Sequence, residues 1–171
     1  MLGDHNLVTQ AQINGRVQDF AGLLAYQNRK SRWNWTVAAQ RIPYVTGAFA
    51  AYFDNVGGQP VYVEEVERFR QTNTQLTGVI ASPFSRSRRM EFSATAQRIG
   101  FSHELERRAV FQNGSVAFDS TIKFPVPDAL TLAVGSAALV HDNSFFGATS
   151  PLLGDRWRLE VSPTVGSLQF F

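Results

Sequence analysis

The feature that most constrains this chain is an alternation of apolar and polar residues that recurs along most of its 171 residues. In 90–97, Met90 and Phe92 begin an apolar set, and polar residues such as Glu91 stand between its members. Successive side chains of a β-strand point to opposite faces of the sheet, so a period of two predicts strands with one apolar and one polar face. The segments with this pattern are 7–14, 19–28, 33–41, 72–82, 90–97, 129–141 and 156–165.

The connections between these seven predicted strands differ in length. The pair Asn14-Gly15 predicts a tight hairpin turn, because these residues favour the backbone conformation that such turns require. Two connections are long, about 43–70 and about 103–127, and we expect them to be loops. Within the first, residues 60–70 fit either a short helix or the extended beginning of the next strand. In an up-and-down sheet both long loops lie at one end, an asymmetry typical of outer-membrane barrels.

Composition excludes several classes of protein. The chain has no cysteine, which excludes disulfides, thiolate catalysis and cysteine-ligated metals. Its 16 basic and 14 acidic residues give a formal charge of +2, too balanced to predict a nucleic-acid partner. No apolar run approaches the length of about 18 residues that a transmembrane helix needs, and residues 1–5 lack the basic start of a secretory signal. The absence of a long apolar run does not exclude a membrane β-barrel, because the strands of such a barrel alternate and their mean hydropathy is low.

Aromatic residues at the ends of the predicted strands favour a membrane. Tryptophan concentrates at the membrane–water interface, whereas a soluble core is richer in branched side chains in mid-strand. The predicted membrane-interface aromatics are Trp33, Trp35, Phe92 and Trp157. The densest basic group is Arg86, Arg88 and Arg89. We interpret this group as a rim that contacts lipid phosphates, and the alternative is a solvated turn.

No pattern of catalytic or metal-binding residues stands out. The histidines His5, His103 and His141 are scattered and lack the spacing of metal ligands. Asp142 and Ser144 follow His141 and supply the residue types of a catalytic triad, but neighbours on a strand point to opposite faces. We therefore predict no catalytic residues, no cofactor and no metal.

The segment 141–160 resembles a strand–turn–strand hairpin of the bacterial surface antigen barrels, the outer-membrane assembly and translocation proteins of BamA/TamA type. In that hairpin an acidic residue and an asparagine end one strand, aromatic residues pack under the turn, and glycine and then arginine precede the next strand's apolar residues. The residues that match are Asp142, Asn143, Phe145, Phe146, Gly154, Arg156 and Leu159. A longer segment, 148–153, replaces the family's Pro-Thr step. The resemblance implies a barrel like those that follow Tol-type propeller domains in the bacterial outer membrane.

We therefore predict an all-β fold, an antiparallel up-and-down transmembrane β-barrel, as a single domain over 1–171. Seven strands do not make an even-stranded bacterial barrel, so we expect the N-terminal part of a larger one. The predicted function is a structural or transport segment related to outer-membrane protein assembly or translocation. Its predicted partners are the lipid bilayer, the rest of the barrel and other outer-membrane proteins.

The alternative prediction is a soluble β-barrel that binds an apolar small ligand. In that case Trp33, Trp35 and Trp157 would face the interior of the barrel.

Overall fold

The computed structural model describes residues 3–146 and 151–167, and its regular structure in these ranges is β-strand apart from a 3₁₀ turn at Val17–Asp19. The strands are β1 (His5–Ile13), β2 (Phe20–Asn28), β3 (Asn34–Val56), β4 (Gln59–Pro83), β5 (Arg88–Phe111), β6 (Val116–Phe124), β7 (Leu130–Asp142), β8 (Phe145–Phe146), β9 (Pro151–Leu153), β10 (Arg156–Val161) and β11 (Thr164–Gly166). Each of the first six predicted strands overlaps one strand of the structure, and the seventh, 156–165, is divided between β10 and β11.

Nine of the strands form one antiparallel sheet. Its order is β1-β2-β3-β4-β5-β7-β10, with β6 also paired to β5 and β11 to β7. The short strands β8 and β9 pair with each other. The predicted all-β antiparallel fold is therefore confirmed, and within the described residues the sheet does not close on itself.

The prediction of long loops is wrong for most of their length. β3 continues to Val56 and β4 begins at Gln59, so a turn at Gly57-Gly58 is all that separates them, and 60–70 is extended strand. These glycines have φ values of 60° and 79°. That left-handed conformation favours glycine and matches the twist of a two-residue hairpin.

The second expected loop, 103–127, is also largely strand. β5 continues to Phe111, and β6 follows after a turn in which Gly114 has a φ of 82°. In the continuation of β5, charged residues stand on both faces, for example Glu106 and Arg107 in succession. The period-two hydrophobic pattern is therefore lost although the backbone stays extended.

Contacts divide the chain into two compact units. The first unit comprises Met1–Ile42, Thr74–Arg98 and Leu130–Phe171, and the second comprises Pro43–Asn73 and Ile99–Ala129. The strands β3, β4 and β5 contribute residues to both units, so the division does not follow the order of the sequence.

The strand registers of the first unit decide which side chains share a face. Leu7 stands opposite Tyr26, and Tyr26 stands opposite Val37, across β1, β2 and β3. At the other side of the sheet, Trp157 of β10 stands opposite His141 of β7. Directly opposed residues lie on one face, so the registers define the two faces compared below.

The second unit has a small apolar core of its own. Val61, Val63 and Ala109 are fully buried between β4 and β5. Val56, Phe111, Ala117 and Phe118 pack around them. In the same unit β3 approaches β4 so closely that a Cβ atom on Gly47 would lie 2.2 Å from the carbonyl oxygen of Glu67.

Candidate functional site

One face of the first unit is apolar and exposed to the surroundings, while the other is polar and half-buried. On β5, Met90 and Phe92 are exposed, whereas Glu91 and Ser93 between them are half-buried. This is the reverse of a soluble antiparallel sheet, in which the apolar face packs on a core. We call this surface the apolar face. Its large exposed side chains include Leu7, Leu24, Val37, Leu76, Ile80, Met90, Phe92, Trp157, Leu159, Val161 and Val165.

The opposite face of the first unit carries a chain of hydrogen bonds between strands. The Gln40 amide donates to the Gln75 side-chain oxygen at 2.8 Å, and the Gln75 amide donates to the Thr77 hydroxyl at 3.2 Å. The Thr77 hydroxyl in turn lies 3.0 Å from that of Thr95. Half-buried polar groups are thus satisfied by one another across β3, β4 and β5.

Charged residues on this polar face are paired. Glu91 accepts hydrogen bonds from Arg89 at 2.6 Å and from Arg158, and Arg158 also donates to Glu160 at 2.7 Å. This network joins β5 to β10 in space. A sheet with a paired polar face and an exposed apolar face matches a barrel wall between a polar lumen and lipid.

Strand β7 departs from this division. Ser136 lies 2.7 Å from Ser93 and therefore belongs to the polar face, together with Ala138 and Val140, which are fully buried. Ala138 and Val140 thus pack beneath polar neighbours, whereas Leu139 between them lies on the apolar face.

The length of the apolar face is set by arginines at its two ends. On β5 the residues of this face run from Arg88 to Arg98, and every member between them is uncharged. Ten steps along an antiparallel strand rise about 34 Å. At the usual barrel tilt of about 40° this corresponds to about 25 Å, the height of the apolar band of outer-membrane barrels. On β3 the apolar face likewise ends at Arg41.

The four predicted interface aromatics lie at one end of the strands of the first unit. Trp33 directly precedes β3 and is about half exposed. Trp35 packs at a tilt against Tyr26 with 5.3 Å between ring centroids, and Trp157 stacks on His141 at 5.4 Å. Phe92 is the fifth residue of β5 and is exposed. These rings form a belt beside the apolar face, an arrangement typical of a membrane–water interface.

Backbone hydrogen bonds connect the turns at this end. The Asp142 amide donates to the Ser87 carbonyl at 2.7 Å, which joins the end of β7 to the turn before β5. The Arg29 amide donates to the Asp4 carbonyl at 2.6 Å, which joins the turn after β2 to the residues before β1. We call this end of the first unit the basic rim.

The predicted basic residues divide between two environments. Arg86 and Arg88 are exposed at the rim, whereas Arg89 turns toward the polar face and forms an ion pair with Glu91. Three further exposed cations stand in the turn between β2 and β3. They are Arg29, Lys30 and Arg32. These residues are visible in the sequence, but their distance from the 86–89 turn is not. Because β3 pairs with β4, the β2–β3 and β4–β5 turns lie at the same end of the sheet.

The family-like hairpin has a defined geometry in its described part. Asp142 opposes Arg156, with 3.7 Å between the carboxylate and the guanidinium, and the Asn143 amide donates to the Asp155 carbonyl at 2.9 Å. Gly154 has a φ of 100°, and a Cβ atom there would lie 2.0 Å from the Asn143 carbonyl oxygen. Glycine is therefore required at that position. The side chains of Phe145 and Phe146 lie outside the described residues.

The second unit carries charged pairs that the sequence analysis did not single out. The Arg107 guanidinium donates to Glu65 at 2.6 Å and to the Tyr52 hydroxyl at 3.2 Å, and it lies over the ring of Phe118. The hydrogen bonds to Tyr52 and then to Glu65 hold the pKa of Arg107 above its ordinary value. A run of acidic residues at 64–67 with basic residues at 107–108 is the sequence signal for such cross-strand pairs.

Further charged groups lie on both faces of the second unit. The His103 ring is stacked between Phe69 and Phe124, with centroids 4.0 and 4.3 Å away, and it hydrogen-bonds to Glu67. On the other face Arg68 donates to Glu106 at 2.7 Å. Within the described ranges no three His, Asp or Glu side chains lie close enough to share a metal ion.

Comparison with known proteins identifies no relative of the chain. No protein-family model, no curated protein and no solved structure matches the chain. In the part of the chain that the structure describes, no helix has the length and apolar character needed to cross a membrane. The surface antigen resemblance of 141–160 stays a prediction.

Proposed function

We propose that the first unit is a lipid-facing segment of a bacterial outer-membrane β-barrel. The observation that carries this proposal is the reversed burial of its two faces, with large apolar side chains exposed and hydrogen-bonded polar side chains half-buried. Exposed apolar area on this scale is unfavourable in water by about 25 cal/mol for each Å². Lipid removes that cost, and the spacing of Arg88 and Arg98 fits the thickness of the hydrocarbon region.

The shortage of buried apolar residues supports the same proposal. Among the described residues, the fully buried apolar side chains are the five at Val61, Val63, Ala109, Ala138 and Val140. A soluble domain of 171 residues is stabilised by a far larger core. The chain therefore needs a further apolar phase or partner, and a bilayer supplies one around the apolar face.

The second unit has a different role in this proposal. Charged side chains occupy both of its faces, as the pairs Glu67–His103 and Arg68–Glu106 show. Charges are costly on the lipid face of a barrel strand. We infer that this unit lies in water outside the hydrocarbon region, where loops of outer-membrane barrels make contact with solutes or proteins.

The activity that we propose is structural or transport work within such a barrel, related to the assembly or translocation of other outer-membrane proteins. Support for this narrower statement comes from the 141–160 hairpin and its glycine-dependent turn. The proposed partners are lipid, the remaining strands of the barrel and other outer-membrane proteins. A soluble binding barrel would bury Trp33 and Trp157, which are exposed in the first unit.

The test is partitioning of the purified full chain between buffer, detergent and lipid vesicles. We expect the chain to require detergent or lipid and to show compact, heat-modifiable migration on a gel. Tryptophan emission should shift to the blue in vesicles and be quenched by brominated acyl chains. A monomer that unfolds cooperatively in plain buffer and ignores the vesicles would overturn the proposal in favour of the soluble binding barrel.

A further inference from the structure

The basic rim holds a cluster of cations without protein counter-charges. The side chains of Arg29, Lys30, Arg32, Arg86 and Arg88 are exposed. Within the described residues, none of these five has a carboxylate at ion-pair distance. Like charges gathered on one edge repel one another, so an arrangement of this kind is stabilised by anions from outside the chain.

Two carboxylates beside the 86–89 turn are already engaged. Asp142 accepts hydrogen bonds from Ser144 and pairs with Arg156, and Asp155 lies 3.3 Å from the His141 ring. Neutralisation of the five cations by these groups would require the existing contacts to break. The charge of the rim is therefore available to an external ligand.

The position of the cluster identifies the kind of anion. The two basic turns flank the aromatic belt at the end of the apolar face, and Trp33 follows Arg32 directly in the sequence. A tryptophan belt marks the depth of the lipid headgroups. Guanidinium groups bind phosphate in bidentate fashion, and a lysine adds a point charge.

We propose that the basic rim binds the phosphate groups of anionic phospholipids in the leaflet at this end of the first unit. This inference rests on the proposed lipid-facing function. At the opposite end of the apolar face, the exposed cations of the described residues are two, Arg41 and Arg98, and Arg41 donates to the Gln18 carbonyl. The larger number of exposed cations at the rim is expected to favour anionic lipid in that leaflet over the other.

All three tryptophans of the chain lie at this end, so their fluorescence reports on the rim alone. The experiment reconstitutes the full chain in phosphatidylcholine vesicles that contain a trace of either anionic phosphatidylglycerol or zwitterionic phosphatidylcholine, each labelled with dansyl on an acyl chain. Energy transfer from tryptophan to the dansyl group then measures which headgroup gathers near the rim. We expect stronger transfer to the anionic probe, with a difference that falls as salt is raised.

A matched pair of variants locates the effect. Arg86→Gln with Arg88→Gln removes two rim charges, and Arg108→Gln with Lys123→Gln removes two exposed charges of the second unit. Each rim cation is expected to contribute about fivefold to the preference for the anionic lipid at low salt, and the second-unit pair is expected to contribute nothing.

Each outcome decides between distinct statements. Insertion into vesicles with equal transfer to both probes would overturn the rim proposal and leave the lipid-facing function intact. Failure to insert into either vesicle would overturn the lipid-facing function itself. An equal loss of preference in both double variants would show that overall charge, and not the rim, attracts the lipid, and would also overturn the rim proposal.

Discussion

The two units share the strands β3, β4 and β5 but present different surfaces to their surroundings. On β5, the residues from Arg88 to Arg98 alternate between an uncharged exposed face and a hydrogen-bonded polar face. From Ile99 to Phe111 the same strand belongs to the second unit and carries charge on both faces, including Glu106 and Arg107. The comparison shows that alternation of apolar and polar residues identifies a sheet whose two faces meet different environments. A strand without this alternation stays extended when it is hydrogen-bonded to its neighbours along its length.

The units also differ in net charge. The first unit holds 11 of the 16 basic residues and 6 of the 14 acidic ones, so the second unit is acidic. The small net charge of the whole chain is thus the sum of a basic first unit and an acidic second unit. The basic part is the one with the apolar face, which agrees with an environment of anionic headgroups.

The largest expected effect comes from a charge placed on the apolar face. Ala94→Arg should prevent insertion into vesicles, because arginine at the midplane of a lipid-facing strand costs about 2–4 kcal/mol. Heat-modifiable migration after reconstitution measures this. Ala50→Arg is the matched control on an exposed alanine of the second unit, and it should leave insertion unchanged. If the two substitutions reduced insertion equally, the proposal that only the first unit faces lipid would be wrong.

A smaller effect is expected from the close approach of β3 and β4 in the second unit. Gly47→Ala places a methyl group where the Glu67 carbonyl oxygen stands, and the backbone shift should destabilise this unit by about 1–3 kcal/mol. Faster amide exchange in 43–73 would report it while insertion of the first unit persists. Gly100→Ala is the control, since a Cβ atom there meets nothing within 4 Å. Comparable exchange in both variants would contradict the assigned contact.

The smallest effect concerns the polar face of the first unit. Thr77→Val keeps the shape of the side chain but removes its hydrogen bonds to Gln75 and Thr95, at a cost of about 1 kcal/mol. Urea unfolding from detergent micelles measures the loss. Thr77→Ser should restore most of it, and neither variant should alter insertion. If Thr77→Val impaired insertion as strongly as Ala94→Arg, the assignment of the two faces would be wrong.

Much of the fold was predictable because the alternation is a direct consequence of strand geometry. The seven predicted strands are present, and Trp33, Trp35, Phe92 and Trp157 share one end of the first unit. The remainder of β4 and β5 was hidden, since segments with charge on both faces give no periodic signal, and the remainder of β3 was hidden because it is largely apolar on both faces. Strand β6 does alternate, with Phe118, Ile122 and Phe124 opposite Asp119 and Lys123, and it was missed because the whole of 103–127 was assigned to a loop.

The site was predictable in part. The three arginines of the predicted rim lie close together in sequence, but the alternation of β5 places Arg89 on the polar face, where it forms an ion pair with Glu91. In β7 the alternating Ala138 and Val140 imitate a lipid-facing set, yet they lie buried beside Ser136 on the polar face. Which face of a strand is exposed depends on its neighbours as well as on its own pattern.

The alternation on β5 also bears on how the chain reaches its register during folding. A slip of β5 by one residue would turn Glu91 and Gln97 toward the apolar face and would withdraw Phe92 from it. A sheet with this misaligned register would be destabilised at several positions at once. We therefore expect the strands to separate and pair again before the proposed insertion into lipid. A slip by two residues keeps the faces but moves Arg88 or Arg98 into the apolar band. The two arginines therefore disfavour a shift of the strand along its own axis in either direction.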